Sequence, residues 1–295
     1  MAGRSARRLE SLAVADRPGP HGGRVQVMDL SDVSWLDPVH LVGIAATAHR
    51  AAGQGSRLRL TGLGADQAGY AARMHLGQVI EQFGGEHELP VVRERDLHDR
   101  LLEVCPLRTR DDLRGLTELV FNRVAGQDGE MARALYVALA EVGSNVCDHS
   151  QSIGFMAAQT IPEQQLLRFA VADSGVGILS TLAGRGAGDD RTAIEMALAG
   201  TSRNRAPGHG TGLPTTVEKV VRSLGGEMLL ASGRAATTAN ARGWTHRSLG
   251  FRLPGTIFEG SVPTAVTPPS ARRAIRTPPR SETMNTGVDA DELRC

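Results

Sequence analysis

The chain has 295 residues, 41% of them hydrophobic, enough for one large domain or two modest ones with real cores. A formal net charge of +1 excludes a global field that would draw nucleic acid or a membrane surface, and 3% aromatic residues leave few platforms for stacking bases. Three cysteines, Cys105, Cys147 and Cys295, stand without metal-ligand spacing, so a reducing, cytoplasmic setting with no disulfide frame is expected.

No apolar run approaches the ~20 residues of a membrane span. The opening "MAGRSARRLE" has arginines with no apolar stretch behind them, so no secretory signal is expected. Lys219 is the only lysine, and it follows Val-Glu rather than a glycine loop, which excludes a P-loop NTPase.

In chain order, residues 1–23 close on "RPGPHGG" and read as a flexible arm. Residues 24–90 read as a small α/β domain. "RVQVMDL" is its first strand, "DPVHLVGIAATAHRAAG" a helix, "SRLRLTGL" a strand and "ADQAGYAARMHLGQVI" one more helix. Residues 91–107 read as a connector. Residues 108–262 hold two long helices, several strands, a glycine-rich stretch and a further helix. Residues 263–295 carry Pro-Pro twice without periodicity and read as a disordered tail.

The chemistry concentrates in the stretch 108–262. In the helix that includes "ALAEVGSNVCDHS", Leu135, Leu139, Val142 and Val146 form a buried stripe, and Glu141 and Asn145 share the adjacent face. An Asn carbonyl suits a hard cation such as Mg²⁺, and Glu can orient or deprotonate a nucleophile. In "RFAVADSGVGILS" an apolar run stops at Asp173, followed by Gly175 and Gly177. A carboxylate there can accept the exocyclic amine of adenine, and glycines let the backbone close under a base. In "GHGTGLPTTVEKVVRSLGG", Gly208, Gly210 and Gly212 precede a helix with Pro214 in its first turn and Gly225-Gly226 at its end. Backbone N–H groups at such a start bind phosphate. Taken singly, each pattern has an ordinary reading: a solvated helix face, a strand-end turn, a flexible linker.

Taken in order, E-x-x-x-N on a helix, D-x-G-x-G at a strand end and G-x-G-x-G before a helix resemble the Bergerat-fold ATPases of the GHKL superfamily, over residues ~110–262. "GEMLLASG" resembles the strand that follows, and "GTIFEGSVP", with Gly255-Thr256, the last small motif. The resemblance implies an α+β fold: a Bergerat α/β sandwich at 108–262. Its cofactors would be ATP and Mg²⁺. Asn145 would hold the metal and Glu141 would be the base or water-orienting residue. Asp173 would take the adenine amine over Gly175 and Gly177, with Thr256 in support, and Gly208, Gly210 and Gly212 would close on the triphosphate. Residues 179–207 would be a lid, with a short helix at "DDRTAIEMALAG" and then Arg203 and Arg205, which either reach the γ-phosphate or are solvated.

The unit at 24–90 resembles a STAS domain, the fold of anti-sigma factor antagonists, through "VMDLSDVSWLDPVHLVGIAATAHRAAGQGSRLRLTG"; a generic α/β cap is its other reading. Where partner-switching members carry a phosphorylatable hydroxyl, this chain has Asp37-Pro38-Val39-His40, and the unit is short on its N-terminal side. A histidine kinase would need a phospho-acceptor helix before the ATPase, and the helix at 110–126 has no His. His98 stands upstream without a second helix, and His149, beside the proposed Mg²⁺ helix, is expected to be local structure or a residue just behind the metal ligand. Residues 263–295 do not suit the transducer domain of gyrase-type members. The resemblance is therefore to anti-sigma factor serine kinases. Three activities stay open: a protein Ser/Thr kinase acting on a regulatory partner (a STAS-type antagonist or a sigma-factor pathway protein), an ATP-hydrolysing switch, and a non-catalytic ATP sensor. No direct nucleic-acid or membrane partner is expected, and a homodimer is left open.

Overall fold

Strand β1 (Ala15–Pro18) runs antiparallel to β2 (Arg24–Asp29), and β2 pairs in parallel with β3 (Ser56–Thr61). Parallel neighbours need a crossover, and α1 (Pro38–Gly53) supplies it. Its start is set locally: Pro38 stands in the first turn, and the Asp37 N–H donates to His40 Nδ1 at 3.0 Å. Helices α2 (Ala65–Arg73) and α3 (Leu76–Gln82) lead to the short β4 (Glu86–His87), parallel to β3. The first sheet has the order β1-β2-β3-β4. The computed structural model describes residues 8–19, 23–92, 101–126, 128–202 and 212–264.

The second sheet is antiparallel, in the order β5-β6-β7-β9-β8, from β5 (Leu101–Leu107), β6 (Gly154–Ile161), β7 (Leu166–Asp173), β8 (Glu227–Asn240) and β9 (Gly243–Pro263). Side chains alternate across a strand. Phe155, Ala157, Ala170, Ala172 and Ile257 therefore share a core with α1, while Met156, Ala158, Phe169, Val171 and Phe258 face the opposite way. That opposite core is completed by α4 (Arg110–Ala125), α5 (Gly129–His149) and α8 (Gly212–Val217), which continues as a π-helical turn over Glu218–Ser223. Burial on both faces is why "FAVA", residues 169–172, reads as an unbroken apolar run.

The fold is mixed α+β with two sheets, as expected, but its organisation differs in four places. The expected arm is folded over its described residues 8–19. Leu9 and Leu12 are buried, β1 pairs with β2, and Arg8 forms ion pairs with Asp37 and Glu259. The expected connector ends in β5, the edge strand beside β6, since Leu102 and Val104 need cover. The two expected domains share one core. Met28, Leu58 and Leu60 of the first sheet meet α1, which meets Phe155, Ala170 and Ile257 of the second. A helix with no charged side chain before Arg50 is apolar all round, and both sheets cover it. The single helix expected over 65–80 breaks at His75, which is left-handed at φ 59°. The break lets the Met74 carbonyl accept from the Val104 N–H at 3.1 Å, tying the first unit to β5.

Candidate functional site

Helix α5 carries the first wall of the site. Asp128 caps it, accepting from the N–H groups of Glu130 and Met131 at 3.0 and 2.9 Å. Leu135, Leu139, Val142 and Val146 are buried, as their spacing predicts. Glu141 and Asn145, on the adjacent face, line a cavity of about 190 Å³. Helices α4 and α5 approach closely at Gly143, where a Cβ would collide with Leu113.

Asp173, at the end of β7, lines the same cavity. It is 5% exposed. Burial pushes its carboxyl up to about 7, against the opposing effect of backbone hydrogen bonds from Gly175 and Thr256. The Gly175 N–H donates to Asp173 Oδ1 at 2.8 Å. Thr256 is the β9 partner of Asp173 in the ladder and also lines the cavity.

The glycines around Asp173 are required by space. A Cβ at Gly175 would collide with the Ser150 carbonyl, which accepts from the Val176 N–H at 3.1 Å. Gly177 has φ 75°, opens α6 (Gly177–Leu182), and would press a Cβ to 2.9 Å from Ser232 Oγ. That hydroxyl accepts from the Ile178 N–H at 3.0 Å and donates to the Gly255 carbonyl at 2.8 Å. The loop beneath the cavity is thus fastened to β8 and β9.

Of the residues expected at the site, Glu141, Asn145, Asp173, Gly177, Gly212 and Thr256 line this one cavity, and Gly175 lies in the turn between Asp173 and Gly177. Gly212, at the start of α8, sits so close to the helix wall that a Cβ would stand 2.8 Å from Glu141 Oε2. Gly208, Gly210, Arg203, Arg205 and His98 lie outside the described residues. His149 is on the cavity wall itself.

Much of the expected lid is docked. The helix α7 (Asp190–Leu198) is capped by Asp189, and Asp190 accepts from the Arg234 N–H and from Arg252, both at 2.9 Å. Arg185 donates to the Ser202 carbonyl at 3.0 and 2.9 Å, which fixes the lid's last described turn.

Sequence reasoning passed over Ser150, Ser152, Ser174, Ser232 and Thr181. No spacing marks Ser152, Ser174 and Ser232, because each acts through a partner remote in sequence; Ser150 and Thr181 bond locally, to the Val146 and Gly177 carbonyls. Among the described residues no three His, Cys, Asp or Glu side chains converge as a ready-made metal centre. Mg²⁺ held through phosphates needs only one or two protein ligands, and an Asn carbonyl beside a carboxylate on a cavity wall fits that need. Among the same residues no helix is long and apolar enough to cross a membrane. Compared with known proteins, the chain matches no family model, no curated protein and no solved structure.

Proposed function

We propose that the chain is a Mg²⁺- and ATP-binding regulatory protein with a Bergerat-type site, acting as a phosphotransferase on a protein hydroxyl. One observation carries this reading: Glu141, Asn145, Asp173, Gly177, Gly212 and Thr256, from four separate stretches of the chain, line a single cavity. A buried carboxylate with a backbone donor on one oxygen suits an adenine amine. A glycine floor that excludes any Cβ suits the close approach of a base. Asn145 would give its carbonyl to Mg²⁺, and Glu141 would take the proton from the attacking hydroxyl.

The acceptor in this reading belongs to another molecule. The STAS-like turn at Asp37-Pro38-Val39-His40 has no hydroxyl side chain. It lies at the start of α1, whose other end carries His49 beside Ser174. A helix of 16 residues separates the two ends by about 24 Å. The fused unit covers the back of the sheet and is not presented to the cavity as a substrate.

Radiolabelled ATP tests the assignment, with a panel of STAS-type proteins as acceptors. Wild type is expected to label a partner, and Glu141→Ala to lose roughly 10²–10⁴ in turnover while ATP affinity stays within a few-fold. Label released only as phosphate would replace the kinase by an ATPase. Equal turnover in both proteins would remove Glu141 as the base.

A further inference from the structure

The last turn of α1 reaches the turn that follows Asp173. His49 Nδ1 is 2.7 Å from Ser174 Oγ, and Ser174 Oγ is 2.9 Å from Ser152 Oγ. Arg50 donates to the Ser174 carbonyl at 3.5 Å. The Ser152 N–H donates to Ser150 Oγ at 3.0 Å, and that hydroxyl donates to the Val146 carbonyl at 2.7 Å in the last turn of α5. One hydrogen-bonded chain thus runs from the N-terminal unit to the Asp173 turn and on to the helix bearing Glu141 and Asn145. Ser174 is buried, so its hydroxyl needs these partners.

His49 is itself held in place. Its ring meets Phe83, just after α3, edge-on at 5.0 Å, and Phe155 of β6 at 6.5 Å. Burial lowers its pKa from the ordinary value, which favours the neutral ring.

We infer that His49 is a positioning residue for the Asp173 turn, so that the N-terminal unit is a working part of the nucleotide site rather than a separate cap. The inference rests on the ATP reading. His49 touches no nucleotide atom in this account. It acts by fixing Ser174, and with it the backbone between Asp173 and Val176, before a ligand arrives. Such preorganisation raises affinity for the group that Asp173 recognises and leaves phosphate contacts alone. By linkage, whatever displaces this end of α1 weakens nucleotide binding by the same factor as nucleotide opposes the displacement.

The experiment compares ATP with inosine triphosphate, which carries a carbonyl oxygen in place of the 6-amine, by titration calorimetry. His49→Phe keeps the ring packing on Phe83 and Phe155 but removes the hydrogen bond. His49→Asn restores a polar group near the Nδ1 position. Ser174→Ala cuts the same link from its other side. The ratio of ATP to inosine triphosphate affinity is expected to fall ~3- to 10-fold in His49→Phe and in Ser174→Ala. It should recover in His49→Asn, and the double variant should lose no more than either single one. A merely structural role would lower the melting temperature and leave the ratio unchanged, and that result overturns the inference while the ATP reading stands. Wild type that binds neither nucleotide overturns the proposed function and this inference with it.

Discussion

Arg8 and Glu259, 251 positions apart, form a two-pronged ion pair with Nη1···Oε1 at 2.8 Å and Nη2···Oε2 at 2.7 Å. The same guanidinium also holds Asp37, which Arg168 holds from the other side. Glu259 is 3% exposed in the C-terminal part of β9, and burial pushes its carboxyl up to about 7 even with Arg8 beside it. Asp37, between two guanidiniums, is held below the ordinary carboxylate range against the opposing effect of burial. Removing one partner of a buried pair leaves an uncompensated charge. Arg8→Ala should therefore destabilise the fold by about 3–5 kcal/mol, the usual cost of breaking such a pair. Urea unfolding checks it: the midpoint should drop with little change in slope. A loss below ~1 kcal/mol would mean that the cluster is open to water.

Asp173 links stability to pH with a definite sign. Its carboxyl rises from the usual 3.8 to about 7 on folding. Between these values the folded state holds a proton that the unfolded state has released. Its contribution is thus fully present below pH 3.8 and is lost as pH rises through about 7. Asp173→Asn does not titrate, so its melting temperature should exceed that of wild type by a margin that widens from pH 5 to pH 8. Glu259 titrates in both proteins and cancels in the difference. Calorimetric melts at four pH values check this, and a constant margin would place Asp173 in a wetter setting than the cavity wall.

Gly175 and Gly212 should respond differently to the same methyl group. At Gly175 the new Cβ meets the Ser150 carbonyl, which is backbone and cannot yield. Gly175→Ala should destabilise by about 1–3 kcal/mol through overpacking. At Gly212 the Cβ meets the end of Glu141, which can swing aside. Gly212→Ala should keep the melting temperature and, if Glu141 is the base proposed above, lose turnover on the order of 10- to 100-fold because that side chain is displaced. Paired melting and turnover measurements decide it. Equal stability losses in both variants would contradict the distinction.

The parts of the site that lie within one local pattern were legible. The stripe on α5, the Asp173–Gly175–Gly177 spacing and the start of α8 each depend on neighbours a few residues apart, and they converge on one cavity. What was not legible depends on remote partners. Arg8 belongs to an apparent polar arm until Glu259 is beside it. Ser174 is an unremarkable residue in a turn until His49 arrives from a segment 125 positions earlier. The β8–β9 hairpin runs through "RAATTANARGWTHRS", whose small and polar residues gave no strand signal, and ladder pairing from Ala235–Ser248 to Asn240–Gly243 decides its length. One signal was visible and passed over: α1 carries apolar residues on every side, and that pattern calls for cover on every side.

The most direct test of the account is calorimetric titration of ATP with Mg²⁺ into wild type and Asp173→Asn at pH 8, where the wild-type carboxyl is ionised. A hydrogen bond to a charged group contributes about 1.5–3 kcal/mol, so the substitution should weaken ATP binding at least about tenfold while the protein stays folded. ATP affinity that is absent in wild type, or the same in both proteins, would contradict the assignment of this cavity to a nucleotide read by Asp173.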